Sequence, residues 1–374
     1  IIGDNDCYFL AWTTTPWTLP ANNGLAVGEK ITYSLIETFN KYTEKKINVI
    51  IAEKCIEKFF DSNNLKISEE LIFDKENLPY KILKSFQGKE IVGFDYDQLL
   101  PYIKAEKPAF TVVSGNFVTT EEGTGIVHIS LTFGSDDFHV SKKNNLPGIF
   151  VKNDKNEDVP IVDRSGKFVD EITDFAGLQV KLFSDEEGLT TDEKIAIKLK
   201  QENKAFDVKK YEHSYPHCWR TDKPILYYPL ESWFINSTKL KGELIKKNKE
   251  INWQPESTGS GRFGNWLENL VDWNLSRSRF WGTPLPIWRT KDGKDEVCIG
   301  SLAELKEEVR KSVKLGLMED NVSSNIDLHR PYVDDIILSS KDGSPMYRET
   351  DIIDVWYDSG SMPFAQYHYP FNNK

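Results

Sequence analysis

Cysteine is scarce in this chain: four in 374 residues, at Cys7, Cys55, Cys218 and Cys298, with no CxxC pair among them. Thiols so scattered exclude a disulfide framework and fit a reducing compartment, so a cytoplasmic location is expected. Long apolar runs are also missing. None approaches the ~18 residues a membrane-spanning helix requires, and no membrane partner is expected. An excess of positive charge is absent: 47 Lys and Arg stand against 58 Asp and Glu, a formal net charge of −11. A protein that coats nucleic acid is usually basic, so any RNA contact here must be local. The lysine-rich stretches 194–204, 209–210 and 239–249 have acidic residues within or beside them and read as solvated faces. Motifs for several chemistries are lacking too. There is no HExxH, no DxDxDG loop, no Walker A loop and no G-x-S-x-G elbow. His217 and Cys218 are adjacent but have no second thiol close by, so no metal site is expected. The chain opens on Ile1 without a signal-peptide pattern and reads as a piece of a longer one.

What is present is enough apolar sequence for two or three domains: 39% of residues are hydrophobic and 28% charged. Residues 5–12, 25–27, 32–36, 49–51, 110–113 and 125–131 read as strands. Residues 53–60 look helix-like. Residues 135–145 read as a helix with Ser135 as N-cap and Asp136 and Asp137 in its first turn. Residues 190–203 form a clear helix, capped by Thr190 or Thr191, with Ile195, Ala196 and Leu199 as its buried stripe. Near residues 205–215 the texture shifts from strand-rich to dense in tryptophan and arginine. Domains of 1–210 and 211–374 are expected.

Two segments carry chemistry. Residues 12–22, WTTTPWTLPAN, pack four threonines, two prolines, two tryptophans and an asparagine into eleven positions. Pro16 and Pro20 fix φ and remove backbone donors, which stiffens the segment. Its hydroxyls and spare N–H groups suit the oxygens of a ribose or an ester; equally, threonines serve strand propensity and helix capping. The second segment is Gly123-Thr124-Gly125-Ile126-Val127-His128, followed by Phe133-Gly134-Ser135-Asp136-Asp137-Phe138. On a strand, Ile126, His128 and Ser130 share a face. Asp137, at a helix N-terminus, is either a cap or a fixed anion able to hold an ammonium group.

Together these segments resemble the editing domain of the isoleucyl-tRNA synthetases, class I enzymes whose threonine-rich segment reads WTTTPWTLPAN. The valyl and leucyl families carry Arg-Pro-Glu-Thr where this chain has Thr15-Pro16-Trp17-Thr18. The resemblance continues through residues 215–220, 231–234, 262–269, 272–284 and 354–362. It implies a mixed α/β fold: a β-barrel-like editing domain with peripheral helices, then a mixed α/β segment returning to the synthetase core. Three departures stand out. Ser130-Leu131 replaces the usual Ala-Pro, Thr221 stands where many bacterial relatives have a zinc-binding cysteine, and neither the HIGH nor the KMSKS motif occurs.

The activity so implied is proofreading. Isoleucine exceeds valine by one methylene, worth only about 1–3 kcal/mol in an apolar pocket, a figure for which isoleucyl enzymes are themselves the worked case. A second site that hydrolyses valine attached to tRNA(Ile) is therefore expected, with valyl-adenylate a further candidate substrate. The resemblance assigns catalytic roles to Asp137, Thr13, Thr14 and Thr15, with Asp137 holding the substrate α-ammonium. It assigns substrate contacts to Trp12, Thr18, Asn22, His128, Phe133 and Gly134, with His128 limiting the size of the side-chain pocket. No metal or cofactor is implied for editing; ATP and Mg²⁺ belong to the full-length synthetase. The implied partner is the tRNA(Ile) acceptor end, met by a monomer. Trp356 matches a position near the isoleucine pocket of the core, or is simply buried. The alternatives are a module that binds the acceptor end without hydrolysis and a core fragment with no activity of its own.

Overall fold

Continuous apolar runs become interior strands, and the longest of them organises the first unit. The computed structural model describes residues 6–67, 70–153, 156–181, 188–319 and 326–372. It divides into two units, Ile1–Pro229 and Leu230–Lys374. In the first, strand β1 is Cys7–Phe9, β2 Gly24–Val27, β3 Thr32–Phe39 and β4 Lys46–Ala52. Strand β5 is Lys81–Gln87, β6 Thr111–Ser114 and β7 Ile126–Ile129. Strand β4 is buried along nearly all its length, as a run of Ile47, Val49, Ile50 and Ile51 requires, and it is central in a sheet of order β1-β4-β3-β5. A second sheet has the order β6-β2-β7.

The two sheets meet edge to edge. The Trp12 N–H donates to the Ile126 carbonyl at 3.4 Å, and the Ala52 N–H to Thr124 at 3.0 Å. Beyond β5 the chain returns along β6, with N–H to carbonyl bonds of 2.8 Å from Gly93 to Val112 and from Val112 to Phe94. The result is a curved, barrel-like wall around a core that includes Leu10, Leu25, Leu35, Ile51 and Ile126. A second core gathers Trp17, Phe133, Ile161, Phe168, Ile195 and Leu199. It lies beneath the hairpin of β8 (Phe150–Lys152) and β9 (Asp158–Pro160) and beneath helix α2 (Thr191–Gln201). Thr190 and Glu193 close a reciprocal capping box at the start of α2.

Several elements differ from the expectations. Residue 5 of the first expected strand lies outside the described residues. Residues 53–60, expected to be helix-like, form a short 3₁₀ helix over Glu53–Lys58. Strand β7 ends at Ile129, because the Ser130 N–H turns away from the sheet to the Asp137 carboxylate. Helix α1 spans Ser135–Lys143, with Gly134 and not Ser135 at its cap. A side chain at Gly134 would collide with Asp137, whose Cγ is 2.9 Å from the place a Cβ would take. Residues 211–229 run with the first unit: Tyr211 meets Trp12 edge to face at 5.6 Å, and Leu226 and Tyr228 pack on the second core.

The second unit is built on an antiparallel sheet of Glu296–Cys298, Ile287–Thr290, Pro345–Arg348 and Ile337–Ser339, in that spatial order. Helix Leu302–Lys314, capped by Ser301, covers it over a core of Trp288, Leu305, Val309, Ile336, Leu338 and Met346. Trp288 alone among this unit's tryptophans is fully buried, with its Nε1 donating to the Ile336 carbonyl at 2.8 Å. Trp356 opens a helix, Val355–Ala365, in which no residue is buried, and is itself 73% exposed. The buried reading of Trp356 is thus set aside in this chain.

Candidate functional site

The threonine-rich segment folds as an extended turn followed by a 3₁₀ helix over Pro16–Ala21. Pro16 suits the first helical position, where no N–H is needed. Trp17 points into the second core and meets Phe133 edge to face at 4.9 Å. Its N–H donates to Asp192 Oδ1 at 2.8 Å, tying the segment to the first turn of α2. The same carboxylate pairs with Lys181 at 2.6 Å. With Trp17 so fixed, the hydroxyls of Thr13 and Thr15 face each other at 3.3 Å, and Thr13 Oγ1 accepts the Thr15 N–H at 3.0 Å. Thr14 is half-buried between them.

Thr18 and Asn22, one helical turn apart, clamp His128 from across the fold. The His128 ring nitrogens face Thr18 Oγ1 at 2.9 Å and Asn22 Nδ2 at 3.4 Å. Asn22 Nδ2 is a donor, and it also donates to the Gly24 carbonyl at 2.9 Å. His128 Nδ1 is therefore the acceptor and Nε2 carries the proton. The Nε2–H then donates to Thr18 Oγ1, whose hydroxyl in turn donates to the Thr15 carbonyl at 2.9 Å. Tyr96 backs the arrangement by donating to Asn22 Oδ1 at 2.6 Å. Burial lowers the His128 pKa to about 4, so the ring is neutral at pH 7. The outcome is a neutral imidazole that cannot swing aside without breaking hydrogen bonds.

The charged part of the site lies just beyond, where β7 gives way to α1. Asp137 Oδ2 accepts the Ser130 N–H at 3.0 Å, two residues past His128. The carboxylate is half-buried, and burial raises its pKa to about 6 against the lowering effect of the Ser130 N–H. An anion held at such cost in a partly dry place is a strong receptor for a cation. Gly125, at φ +75°, lets the chain pass close over β4: a Cβ there would sit 2.4 Å from that of Ala52.

Thr15, Thr18, Asn22 and His128 thus form one connected network, and Ser130, Gly134 and Asp137 a second at the end of the same strand. Trp12 is half-buried against Tyr211. Phe133 is committed to the second core with Trp17. Asn22 and His128 also border a cavity of about 590 Å³, floored by Leu25, Leu35 and Phe86; the lining includes neither the threonines 13–15 nor Asp137. Tyr96, Asp192 and Ser130 are supporting residues that sequence reasoning did not single out for the site. Only Ser130 carried a signal, as the next residue on the His128 face. The His217–Cys218 pair sits in a turn where the Cys218 N–H donates to the Lys223 carbonyl at 2.8 Å. No three His, Cys, Asp or Glu side chains come together as metal ligands among the described residues.

Comparison with known proteins places the chain. The family described as tRNA synthetases class I (I, L, M and V) matches residues 25–374. The chain belongs to this family. It is 57% identical, over 99% of its length, to the isoleucine–tRNA ligase of Cytophaga hutchinsonii, and 50% identical, over 98%, to that of Bacteroides fragilis. The isoleucine–tRNA ligase of Clostridium tetani is 41% identical over the whole chain. This synthetase segment spans about a third of the length of those relatives: 34%, 35% and 31%. Among solved structures it is similar to GlLeuRS-CP1, at 15% identity and a TM-score of 0.36 over 56% of this chain and 87% of that one. It is also similar to the P. knowlesi cytosolic leucyl-tRNA synthetase editing domain, at 19% identity and a TM-score of 0.28, over 37% and 52%. No helix among the described residues is long and apolar enough to cross a membrane.

Proposed function

We propose that the first unit of this synthetase segment proofreads, hydrolysing valine esterified to tRNA(Ile). The observation that carries this reading is the pairing at one strand end of a rigid, neutral His128 with the anionic anchor Asp137. In this reading the Asp137 carboxylate binds the α-ammonium of the aminoacyl group. His128, locked by Thr18 and Asn22, sets how far the side chain reaches: valine fits, and isoleucine meets the ring. The hydroxyls and N–H groups around Thr13, Thr14 and Thr15 hold the terminal ribose and the attacking water. An aminoacyl ester is intrinsically labile, so positioning does most of the work. Water adds to the ester carbonyl, the bond to the ribose oxygen breaks, and free valine and tRNA leave. Valyl-adenylate presents the same ammonium and side chain, so it fits the same seat. The reading needs no metal, and the enzyme acts as a monomer in the cytoplasm on the tRNA acceptor end.

The test is deacylation of Val-tRNA(Ile) and Ile-tRNA(Ile) in parallel. The chain is expected to clear the valyl ester and spare the isoleucyl one. Asp137→Ala abolishes hydrolysis of Val-tRNA(Ile), and His128→Ala gains hydrolysis of Ile-tRNA(Ile). Full activity in Asp137→Ala, or unchanged discrimination in His128→Ala, contradicts the respective role. Binding of charged tRNA without turnover points instead to an acceptor-end binding module.

A further inference from the structure

We propose that the His128 ring is a partition between the aminoacyl seat and the barrel cavity, so that without it the cavity becomes a side-chain pocket for large apolar amino acids. The inference rests on the editing reading above and deepens it, by naming what lies behind the residue that limits reach. Sheet register gives the direction of the ring. His128 on β7 pairs directly with Leu25 on β2, so the two side chains stand on one face. Both line the cavity of about 590 Å³, which Leu35, Ile50 and Phe86 also line. The ring touches the threonine segment as well: its Nε2 meets Thr18 Oγ1 at 2.9 Å. Thr13, Thr14 and Thr15, a few residues earlier on that segment, do not border the cavity. One buried ring thus meets both the segment proposed to hold the ester and the barrel interior.

Space and polarity agree. Because the ring is part of the cavity wall, the volume it vacates on truncation is continuous with the cavity. Cavities of roughly 300–1,000 Å³ hold whole small-molecule ligands. The room gained is therefore far more than the methylene that separates isoleucine from valine. Truncation also leaves the slot open, because it orphans neither clamping residue. The Thr18 hydroxyl keeps the Thr15 carbonyl at 2.9 Å, and Asn22 Nδ2 keeps the Gly24 carbonyl at 2.9 Å. Asn22 Oδ1 keeps the Tyr96 hydroxyl at 2.6 Å. With these groups paired, an apolar side chain can pass between them without leaving a buried donor unsatisfied. Selection by size is then a single wall at His128, not a pocket that tapers.

The test measures binding of probes that resist hydrolysis: the valyl, isoleucyl, methionyl and phenylalanyl amides of amino-deoxyadenosine. The intact chain is expected to hold the valyl probe and reject the other three. His128→Ala brings all of them to within about ten-fold of one another. Two further arms locate the room. Leu35→Phe in the His128→Ala background fills part of the cavity, and loses the phenylalanyl probe while keeping the valyl one. Added imidazole reoccupies the slot between Thr18 and Asn22 in His128→Ala and restores rejection of the larger probes, with no further change to the core. Loss of the phenylalanyl probe in either arm, with the valyl probe retained, supports the partition; its retention in both overturns it. A His128→Ala chain that rejects the phenylalanyl probe, whether or not it admits the isoleucyl one, overturns the partition as well. So does an intact chain that already takes the phenylalanyl probe, because the cavity then lies in front of the ring. An intact chain that holds none of the probes overturns the editing reading itself.

Discussion

At the scale of the residue, two ionisable groups carry opposite strains. Asp137 has its pKa raised to about 6 by burial, while His128 has its pKa lowered to about 4 by the same cause. In the proposed reaction the carboxylate must be ionised to meet the ammonium, so kcat/KM should fall as pH drops below about 6. The sign for stability is the reverse. Between about pH 4 and 6 the folded state holds the Asp137 proton more tightly than the unfolded chain, so its stabilising contribution is lost as pH rises through that window. At pH 7 the ionised, half-buried carboxylate is a cost. Asp137→Asn should therefore raise the unfolding free energy measured in urea, by on the order of 1–3 kcal/mol. A variant no more stable than the wild type would contradict the burial argument. For His128 the unfolded chain takes up the proton first, so acid destabilises the fold from about pH 6.5 down to 4, with or without Asp137.

At the scale of the element, the short 3₁₀ helix Pro16–Ala21 is the part most dependent on neighbours. It has no side-chain cap of its own. Its place is set by Trp17, buried against Phe133, and by the Trp17 N–H bond to Asp192 in the first turn of α2. Asp192→Ala orphans that N–H and leaves Lys181 without its partner. The expected result is a loss of about 1–2 kcal/mol in urea unfolding, with slower hydrolysis because Thr13, Thr14, Thr15 and Thr18 ride on the same segment. Wild-type hydrolysis in a measurably destabilised variant would detach the helix contact from the site. The same element shows how legibility varied. Pro16 and Pro20 announce a stiff turn in the sequence, but nothing local to residues 12–22 announces that Asp192 holds it.

At the scale of the whole molecule, the chain is a third of a synthetase by length and carries neither ATP motif of that class. It should give no isoleucine-dependent exchange of pyrophosphate into ATP, and exchange above background would refute that. The exposed second-unit helix Val355–Ala365 is consistent with this: an apolar stretch with no buried residue has no core of its own to complete. The texture change near 205–215 and the division at Pro229 reflect different physics. Composition shifts where tryptophan and arginine become frequent, whereas Tyr211, Leu226 and Tyr228 still bury against the first unit.

The sequence by itself determined strands β1–β4, β6 and β7, helix α2 and the short list of residues with chemistry to offer. Apolar periodicity and caps are local signals: Ile47 to Ile51 make a buried strand, and Thr190 with Glu193 starts a helix, whatever lies around them. Tertiary structure decided which of the candidates touch. Thr18 and Asn22 reach His128 across 110 and 106 residues of chain, Tyr96 backs Asn22, and Ser130 turns its N–H to Asp137 rather than to β2. Local pattern tells a polar residue whether it is buried. Its hydrogen-bond partner is chosen only when the sheets close around it, because a buried donor or acceptor must be satisfied by whatever the fold brings within about 3 Å.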